Sequence, residues 1–200
     1  MSARRSIRLA SLALPAALAA CGTCTPPTPP TVTVPDALRP PPGETLQRTL
    51  WATGAQVYEC RAKAAAPAGA ASGTGTASGT TAGAPEWALV GPEATLADAQ
   101  GAIVGKHYAG PTWEARDGSK VVGTVKSRVE APDAGAIPWL LLETRNIGKG
   151  TGLFARVTSV QRVATAGGLP PAAGSCNGST IGQKARVDYK AEYVMYAPTF

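Results

Sequence analysis

The residues best able to do chemistry cluster in one short, turn-rich stretch that contains the only histidine of the chain. Polar side chains interleaved with aromatic rings on loops above a rigid sheet are typical of ligand-binding sites. We therefore predict that this stretch contacts a ligand. The predicted ligand-binding residues are His107, Tyr108, Trp113, Glu114 and Asp117.

The same residues permit a catalytic hypothesis. His107 with Glu114 or Asp117 could act as an acid/base pair, as in hydrolases and lyases, but closeness in sequence does not establish the geometry that proton transfer needs. A purely structural role is also open, because a single histidine is often a hydrogen-bonded structural residue and a tryptophan often belongs to the core. We assign no catalytic residue and favour a non-enzymatic protein.

Conventional catalytic motifs are absent. There is no HExxH and no GxSxG sequence. Gly73, Gly75 and Gly79 nearly form a dinucleotide-binding loop, but the last spacing is one residue too long and no strand precedes them. A single histidine also excludes a site built from several histidines. The sequence predicts neither a metal nor a cofactor.

Alternating apolar and polar residues indicate that β-strands position these side chains. In the C-terminal run, Val187, Tyr189, Ala191, Tyr193 and Met195 share one face, with charged residues between them. Asp117-Gly118 predicts a hairpin with a type I′ turn. Other predicted strands are Gln56–Arg61, Trp87–Val90, Ile103–Tyr108, Ile137–Thr144 and Leu153–Val163.

These strands predict an all-β fold, an antiparallel sandwich or a small barrel of seven to eight strands. Twenty-three glycines and 18 prolines interrupt almost every helical window, so only Ala94–Ala99 is a weak helical candidate. The run Ile137–Leu142 is apolar on both faces, which predicts a strand covered on both sides, with Pro138 at its start.

The N-terminus predicts export. Residues 1–20 combine basic Arg4, Arg5 and Arg8 with an apolar run that is too short to span a bilayer, which is typical of a signal peptide. The run ends in Leu-Ala-Ala-Cys, similar to the lipobox of bacterial lipoproteins, so we predict lipidation at Cys21; ordinary signal cleavage nearby is the alternative. Gly22 then implies sorting to the outer membrane. We expect an envelope lipoprotein that faces the periplasm or the cell surface.

Composition divides the rest of the chain. Residues 21–43 are rich in proline and threonine, which predicts an extended tether rather than a packed element. Residues 64–85 are mostly Ala, Gly, Ser and Thr, which predicts a disordered insertion. The single domain is then expected to occupy residues 44–200.

The cysteine positions suggest one disulfide. If Cys21 carries lipid and Cys24 lies in the tether, Cys60 and Cys176 remain in the domain, and an oxidising compartment favours their pairing. The bond would connect an early strand to a late one. Two free buried thiols are the alternative, because sequence cannot supply the required separation.

The charge balance gives no support for nucleic-acid binding. The chain carries a net charge of +6, but removal of the three arginines of the signal peptide leaves 16 basic residues against 13 acidic ones, or +3. The remaining basic residues are scattered rather than clustered along one stripe. The expected partners are a membrane, through the lipid anchor, and a saccharide or small apolar ligand.

Several segments together resemble the family known as domain of unknown function 3455, over about residues 38–200. They are Thr53–Cys60, Gly105–Trp113, Asp117–Ser119, Ile137–Leu142 and Gly167–Cys176. The resemblance implies secreted bacterial and fungal proteins with no established activity. Some fungal members carry a malate dehydrogenase label, which this chain does not support because it lacks a βαβ pattern and a glycine fingerprint.

Two functional hypotheses follow. The first is a non-enzymatic ligand-binding or structural module of the envelope, in which Trp51, Trp87, Trp113 and Tyr108 could stack on a flat ligand. The second is a hydrolase or lyase that acts on envelope polymer through His107 and a nearby carboxylate.

Overall fold

The computed structural model describes residues 28–63 and 83–199, which form eight β-strands and two short 3₁₀ helices. The 3₁₀ helices are Asp36–Leu38 (η1) and Ala173–Ser175 (η2). The first four strands are β1 (Glu44–Lys63), β2 (Gly83–Ala97), β3 (Ile103–Tyr108) and β4 (Thr112–Ala115). The last four are β5 (Lys120–Val129), β6 (Trp139–Asn146), β7 (Ser159–Gly167) and β8 (Lys184–Pro198).

The strands form a closed barrel. Each pairs antiparallel with the next along the chain, and β8 pairs with β1 to complete the ring. Closure gives the backbone groups of both terminal strands a partner, so that neither is left as an open sheet edge. The all-β prediction of a sandwich or a small barrel is confirmed, with the barrel as the architecture.

Side-chain alternation separates the barrel interior from its outer face. On β8, Tyr189, Ala191, Tyr193 and Met195 are buried in the interior, as the C-terminal pattern predicts. They pack in the main core cluster with residues such as Leu50, Leu96, Val121, Phe154 and Val160. Arg186, Asp188 and Lys190 lie on the exposed face, but Glu192 is buried there, which the sequence pattern does not predict.

Glu192 is buried because a chain segment covers the outer face of the barrel at that point. We call residues 28–38 the outer strap. The backbone N–H of Thr31 donates to Glu192 Oε2 at 2.9 Å, and the Thr31 hydroxyl donates to Oε1. Gln161 Nε2 donates to the Leu38 carbonyl oxygen at 2.6 Å. The prediction that residues 21–43 form an unpacked tether is therefore wrong for the strap.

The outer strap has its own small core. Leu38 is fully buried in a second cluster with Trp139, Leu141, Val163 and Val194, and Val32 and Val34 pack against it. On the inner face of β6, Leu140 and Leu142 belong to the main core. The prediction that this strand is covered on both faces is thus confirmed, although β6 begins at Trp139, after Pro138.

Three local predictions need correction. The Asp117-Gly118 hairpin forms, but only Gly118 has positive φ, and Gly118 N–H bonds the Ala115 carbonyl oxygen, so the turn is not type I′. Ala94–Ala97 is strand rather than helix, because alternate side chains there enter the core. β7 begins at Ser159, since the chain turns around buried Phe154 before it.

The predicted disulfide is present. Cys60 and Cys176 are bonded, with a Cα–Cα distance of 5.4 Å and a sequence separation of 116. Cys60 belongs to β1, but Cys176 directly follows η2 in the connection from β7 to β8. The bond therefore ties a strand to a loop rather than to a late strand.

Several predictions fall outside the described residues. They concern the signal peptide, lipidation at Cys21, the role of Cys24 and the insertion from residue 64 to 82. The end of the predicted insertion, Gly83–Pro85, is strand, because β2 begins at Gly83 opposite Lys63. No helix among the described residues is long and apolar enough to cross a membrane.

Candidate functional site

One end of the barrel interior holds a cavity of about 370 Å³. Its deeply buried lining comprises Gln56, His107, Trp113, Leu142 and Tyr193. Its rim includes three of the exposed large apolar side chains of the described residues, Leu89, Val90 and Val125. The remaining lining residues are Gly91, Pro92, Gly110, Pro111, Arg128, Leu140 and Arg162. Trp113, Leu142 and Tyr193 also belong to the main core cluster, so the cavity floor is continuous with the core.

His107 enters the cavity wall from β3. It lies directly opposite Trp113 on β4, and the two rings stack with their centroids 4.5 Å apart. Tyr193 contacts both rings, at 4.8 Å from His107 and 5.3 Å from Trp113. Alternation places all three side chains inside the barrel, where they form one aromatic wall.

The hydrogen bond of His107 determines its tautomer. Nδ1 lies 2.9 Å from the carbonyl oxygen of Thr112, which can only accept, so Nδ1 carries the proton and donates it. The neutral ring then offers the lone pair of Nε2 as an acceptor. Among the described residues, the structure shows no partner for Nε2.

Burial keeps this histidine neutral. Desolvation lowers the pKa of His107 to about 3; the bond to Thr112 opposes the shift, and the positive charge of Arg162 adds to it. A pKa that low lies far from the near-neutral value of an effective acid/base catalyst. His107 can accept a hydrogen bond from a ligand, but it is poorly suited to transfer protons near neutral pH.

Tyr108 and Glu114 lie on the outer face of the barrel, not in the cavity. The Tyr108 hydroxyl donates to Glu114 Oε2 at 2.6 Å, and Lys120 and Lys106 lie 3.1 and 3.6 Å from the same oxygen. The hydrogen bonds from Tyr108 and Lys120 lower the pKa of Glu114. Strand alternation explains the separation, because Glu114 neighbours inward-facing Trp113 on β4.

Asp117 stabilises the turn between β4 and β5. Its Oδ1 accepts hydrogen bonds from the backbone N–H of Ser119 at 2.8 Å and from the Ser119 hydroxyl at 2.6 Å, and Oδ2 accepts from Leu153 N–H at 2.7 Å. These bonds lower its pKa. Of the five predicted site residues, only His107 and Trp113 line the cavity; Tyr108 and Glu114 pair with each other on the outer face, and neither candidate carboxylate lies beside His107.

Two polar side chains of the cavity wall have buried atoms without a partner. Both Nε2 and Oε1 of Gln56 lack a hydrogen bond among the described residues, and so does Nε1 of Trp113. Buried polar groups are nearly always hydrogen-bonded, and each unmet one costs roughly 1–3 kcal/mol. Because these atoms are closed off from solvent, they do not face the open part of the cavity, and a ligand would meet them only after the surrounding side chains shift.

Sequence reasoning missed Gln56 and Arg162 as site residues. Each falls within a predicted strand, but a polar residue among apolar ones gives no sign of which face it occupies until the register is known. Tyr193 was placed on the apolar face of its strand but not in the site. Of the tryptophans proposed to stack on a ligand, Trp51 lies between inward-facing Leu50 and Ala52 and so faces outward. Trp87 Nε1 donates to the Ser175 hydroxyl oxygen at 2.9 Å, and Trp87 does not line the cavity.

A larger space of about 610 Å³ lies on the outer wall between the prolines after the outer strap and strands β5 to β7. It is lined by Pro40–Pro42 and by charged side chains such as Lys126 and Glu143, which form an ion pair at 3.0 Å. None of the aromatic side chains of the described residues lines it. The interior cavity is therefore the better candidate for a ligand site.

The fold and the site define an up-and-down antiparallel barrel with one filled end and one open, partly polar end. The chain belongs to the family described as Protein of unknown function (DUF3455), whose model matches residues 41–197. No curated protein and no solved structure matches the chain.

Proposed function

We propose that this protein is a non-enzymatic module of the cell envelope that binds a small ligand in the open end of its barrel. The observation that carries the proposal is the cavity of about 370 Å³ that opens between an apolar rim and the buried aromatic wall of His107, Trp113 and Tyr193. A ligand in this space would remove apolar surface of the rim and of the wall from water.

The cavity lining indicates the character of the ligand. The stacked rings of His107 and Trp113 offer a flat apolar wall, and Leu89, Val90 and Val125 surround the entrance. A volume of about 370 Å³ lies at the small end of the usual range of ligand cavities. This favours one small, partly apolar molecule over a length of polymer.

The enzyme hypothesis has less support. The described residues that line the cavity include no Asp and no Glu, so a His107–carboxylate pair has no counterpart there. The low pKa of His107 also makes it a weak base near neutral pH. Binding without chemistry needs only the features that the cavity has.

The envelope location rests on the N-terminal sequence. A lipid on Cys21 would anchor the protein, and residues 22–27 would connect the anchor to the outer strap. Labelling of the full chain with radioactive palmitate in a bacterial host tests this: label is expected in the wild type and absent in Cys21→Ser, with Cys24→Ser as the control. Equal labelling of wild type and Cys21→Ser would contradict the anchor.

A small-molecule screen against the full chain tests ligand binding. The readout is the indole N–H nuclear magnetic resonance signals, with that of Trp113 assigned by Trp113→Phe. We expect binders to shift the Trp113 signal and to leave that of outward-facing Trp51 unchanged. A screen in which no compound moves the Trp113 signal would contradict the proposal.

Matched variants then locate the binding site. Leu89→Ser removes an apolar side chain, 55% exposed, from the rim, whereas Ile181→Ser removes one that is 50% exposed and does not line the cavity. We expect Leu89→Ser to weaken binding about fivefold to tenfold through lost apolar contact. Ile181→Ser should leave the affinity unchanged, and equal effects of the two variants would place the ligand elsewhere.

A further inference from the structure

The cavity wall contains an arginine that has no acidic partner among the described residues. Arg162 lies on β7 between Leu140 of β6 and Tyr193 of β8, and all three side chains line the cavity. Its Nε and Nη2 donate to the Pro138 carbonyl oxygen at 3.1 and 2.8 Å. None of the ion pairs of the described residues includes it.

The charge of Arg162 extends into the barrel interior. Burial is the largest cause of both pKa shifts: it raises the pKa of Tyr193 and lowers that of His107. The positive charge of Arg162 lowers the pKa of both side chains, because it disfavours the protonated imidazole and favours the tyrosinate. The second arginine of the lining, Arg128, is exposed at the rim and pairs with Glu130 at 3.1 Å. The cavity lining therefore carries positive charge, and among its two arginines Arg162 is the one without an acidic partner among the described residues.

A partly buried cation without a counter-ion is unfavourable, and an anion that binds beside it relieves that cost. Arginine pairs with planar carboxylates through two parallel N–H donors. Nε and one N–H of Nη2 are bonded to Pro138, and the Tyr193 hydroxyl lies close enough to the guanidinium to interact with it. A ligand carboxylate would therefore pair with the remaining N–H groups, beside Tyr193. A single inner cation matches a single negative charge better than the charge of about −1.5 to −2 on a phosphate monoester.

We propose that the ligand of this cavity is a small organic monocarboxylate with an apolar body, and that its carboxylate pairs with Arg162. This inference rests on the proposed binding function. The apolar body would lie against the His107–Trp113 wall and the rim.

Calorimetric titration of the full chain with matched probes tests the charge. The probes are phenylacetate and octanoate, each with its neutral amide, and phenyl phosphate. We expect each carboxylate to bind at least about tenfold more tightly than its amide, because only the acid forms the charge-assisted bond, and more tightly than phenyl phosphate. Equal binding of acid and amide would overturn the inference and leave the binding function standing.

Substitutions of the arginines test whether Arg162 causes the preference for the acid over the amide. In Arg162→Gln, the carboxylate should bind no more tightly than its amide, so that the ratio of their affinities is close to one. Arg162→Lys should retain part of the preference for the carboxylate, because the positive charge is kept. Arg145→Gln, which removes an exposed arginine of β6 that does not line the cavity, should preserve the ratio. Loss of the ratio in Arg128→Gln but not in Arg162→Gln would overturn the assignment.

The remaining outcomes are also decisive. If Arg162→Gln fails to fold, as its thermal melt would show, the wild-type ratio and Arg162→Lys decide the question. Tighter binding of phenyl phosphate than of either acid would replace the carboxylate with a phosphate. No binding of any probe, acid or amide, would overturn the proposed function together with this inference.

Discussion

His107 is a residue whose pKa is strongly changed by its surroundings. Its pKa is about 3 in the folded barrel because burial penalises the charged form, whereas an unperturbed histidine titrates near 6.5. As the pH falls below about 6.5, His107 binds a proton in the unfolded chain but stays neutral in the folded chain. The free energy of unfolding therefore declines as the pH falls from about 6.5 towards about 3.

We predict that this effect is measurable between pH 7.5 and pH 5. Between pH 7.5 and pH 5, protonation of His107 in the unfolded chain should remove about 2 kcal/mol from the free energy of unfolding. Glu59, Glu114 and Asp117, whose pKa values are lowered, contribute only at more acidic pH. Urea denaturation of the full chain at several pH values measures the slope.

The matched comparison is His107→Gln, which does not titrate. It is expected to be less stable than the wild type at pH 7.5, because it loses the stacking on Trp113, but its stability should fall much less between pH 7.5 and pH 5. Parallel curves for the two proteins would mean that His107 is not held neutral by the barrel.

At the residue level, the sequence pattern singled out candidate side chains but did not show which face of the barrel each one occupies. His107 and Trp113 lie together because they belong to one short hairpin, in which residues close in sequence become cross-strand neighbours. Glu114 was misplaced because one step along a strand reverses the direction of the side chain. Arg162 comes from a distant strand, and only the register across β6, β7 and β8 brings it to the same cavity.

At the level of elements, the outer strap shows how composition can mislead. The many prolines and threonines of residues 21–43 indicate an extended chain, and the strap has neither helix nor strand before η1. Extended chain can nevertheless pack when it carries apolar residues, here Val32, Val34 and Leu38. The two-sided apolar pattern of Ile137–Leu142 already required a covering element, and the strap supplies it.

We predict that Leu38 anchors the strap and contributes to the stability of the whole barrel. Leu38→Ala would leave a cavity over Trp139 and Leu141, where Leu38 is fully buried. The expected loss is about 2–4 kcal/mol in the free energy of unfolding, the range for a buried leucine. Urea denaturation followed by tryptophan fluorescence measures it.

Leu169→Ala is the control for that loss. Leu169 is 37% exposed, so its truncation should cost less than about 1 kcal/mol. Equal losses in the two variants would show that the strap does not unfold together with the barrel.

At the level of the whole molecule, closure makes the first and last strands neighbours. β1 and β8 pair along most of their length, from Glu44 opposite Pro198 to Glu59 opposite Lys184. The strand alternation predicted the strands and their number, but it gave no information on whether β8 would pair with β1 or form one sheet of a sandwich. That choice depends on long-range pairing, which no local pattern encodes.

The Cys60–Cys176 disulfide reinforces this closure from outside the hydrogen-bonded ladder. It joins β1 to the β7–β8 connection, and the Cys60 N–H also bonds the Gln183 carbonyl oxygen at 2.9 Å, just before β8 begins. In the chain-entropy account, a bond between residues 116 positions apart lowers the entropy of the unfolded chain by the equivalent of about 4–5 kcal/mol.

We therefore predict that Cys60→Ala/Cys176→Ala lowers the free energy of unfolding by as much as about 4–5 kcal/mol, with the barrel retained. Urea denaturation measures the loss, and far-UV circular dichroism in the absence of urea checks that the strands persist. Reductant should destabilise the wild type by a similar amount and leave the double variant unchanged, while Cys24→Ser should behave as the wild type. If the double variant were as stable as the wild type, backbone pairing between β1 and β8 alone would hold the barrel closed.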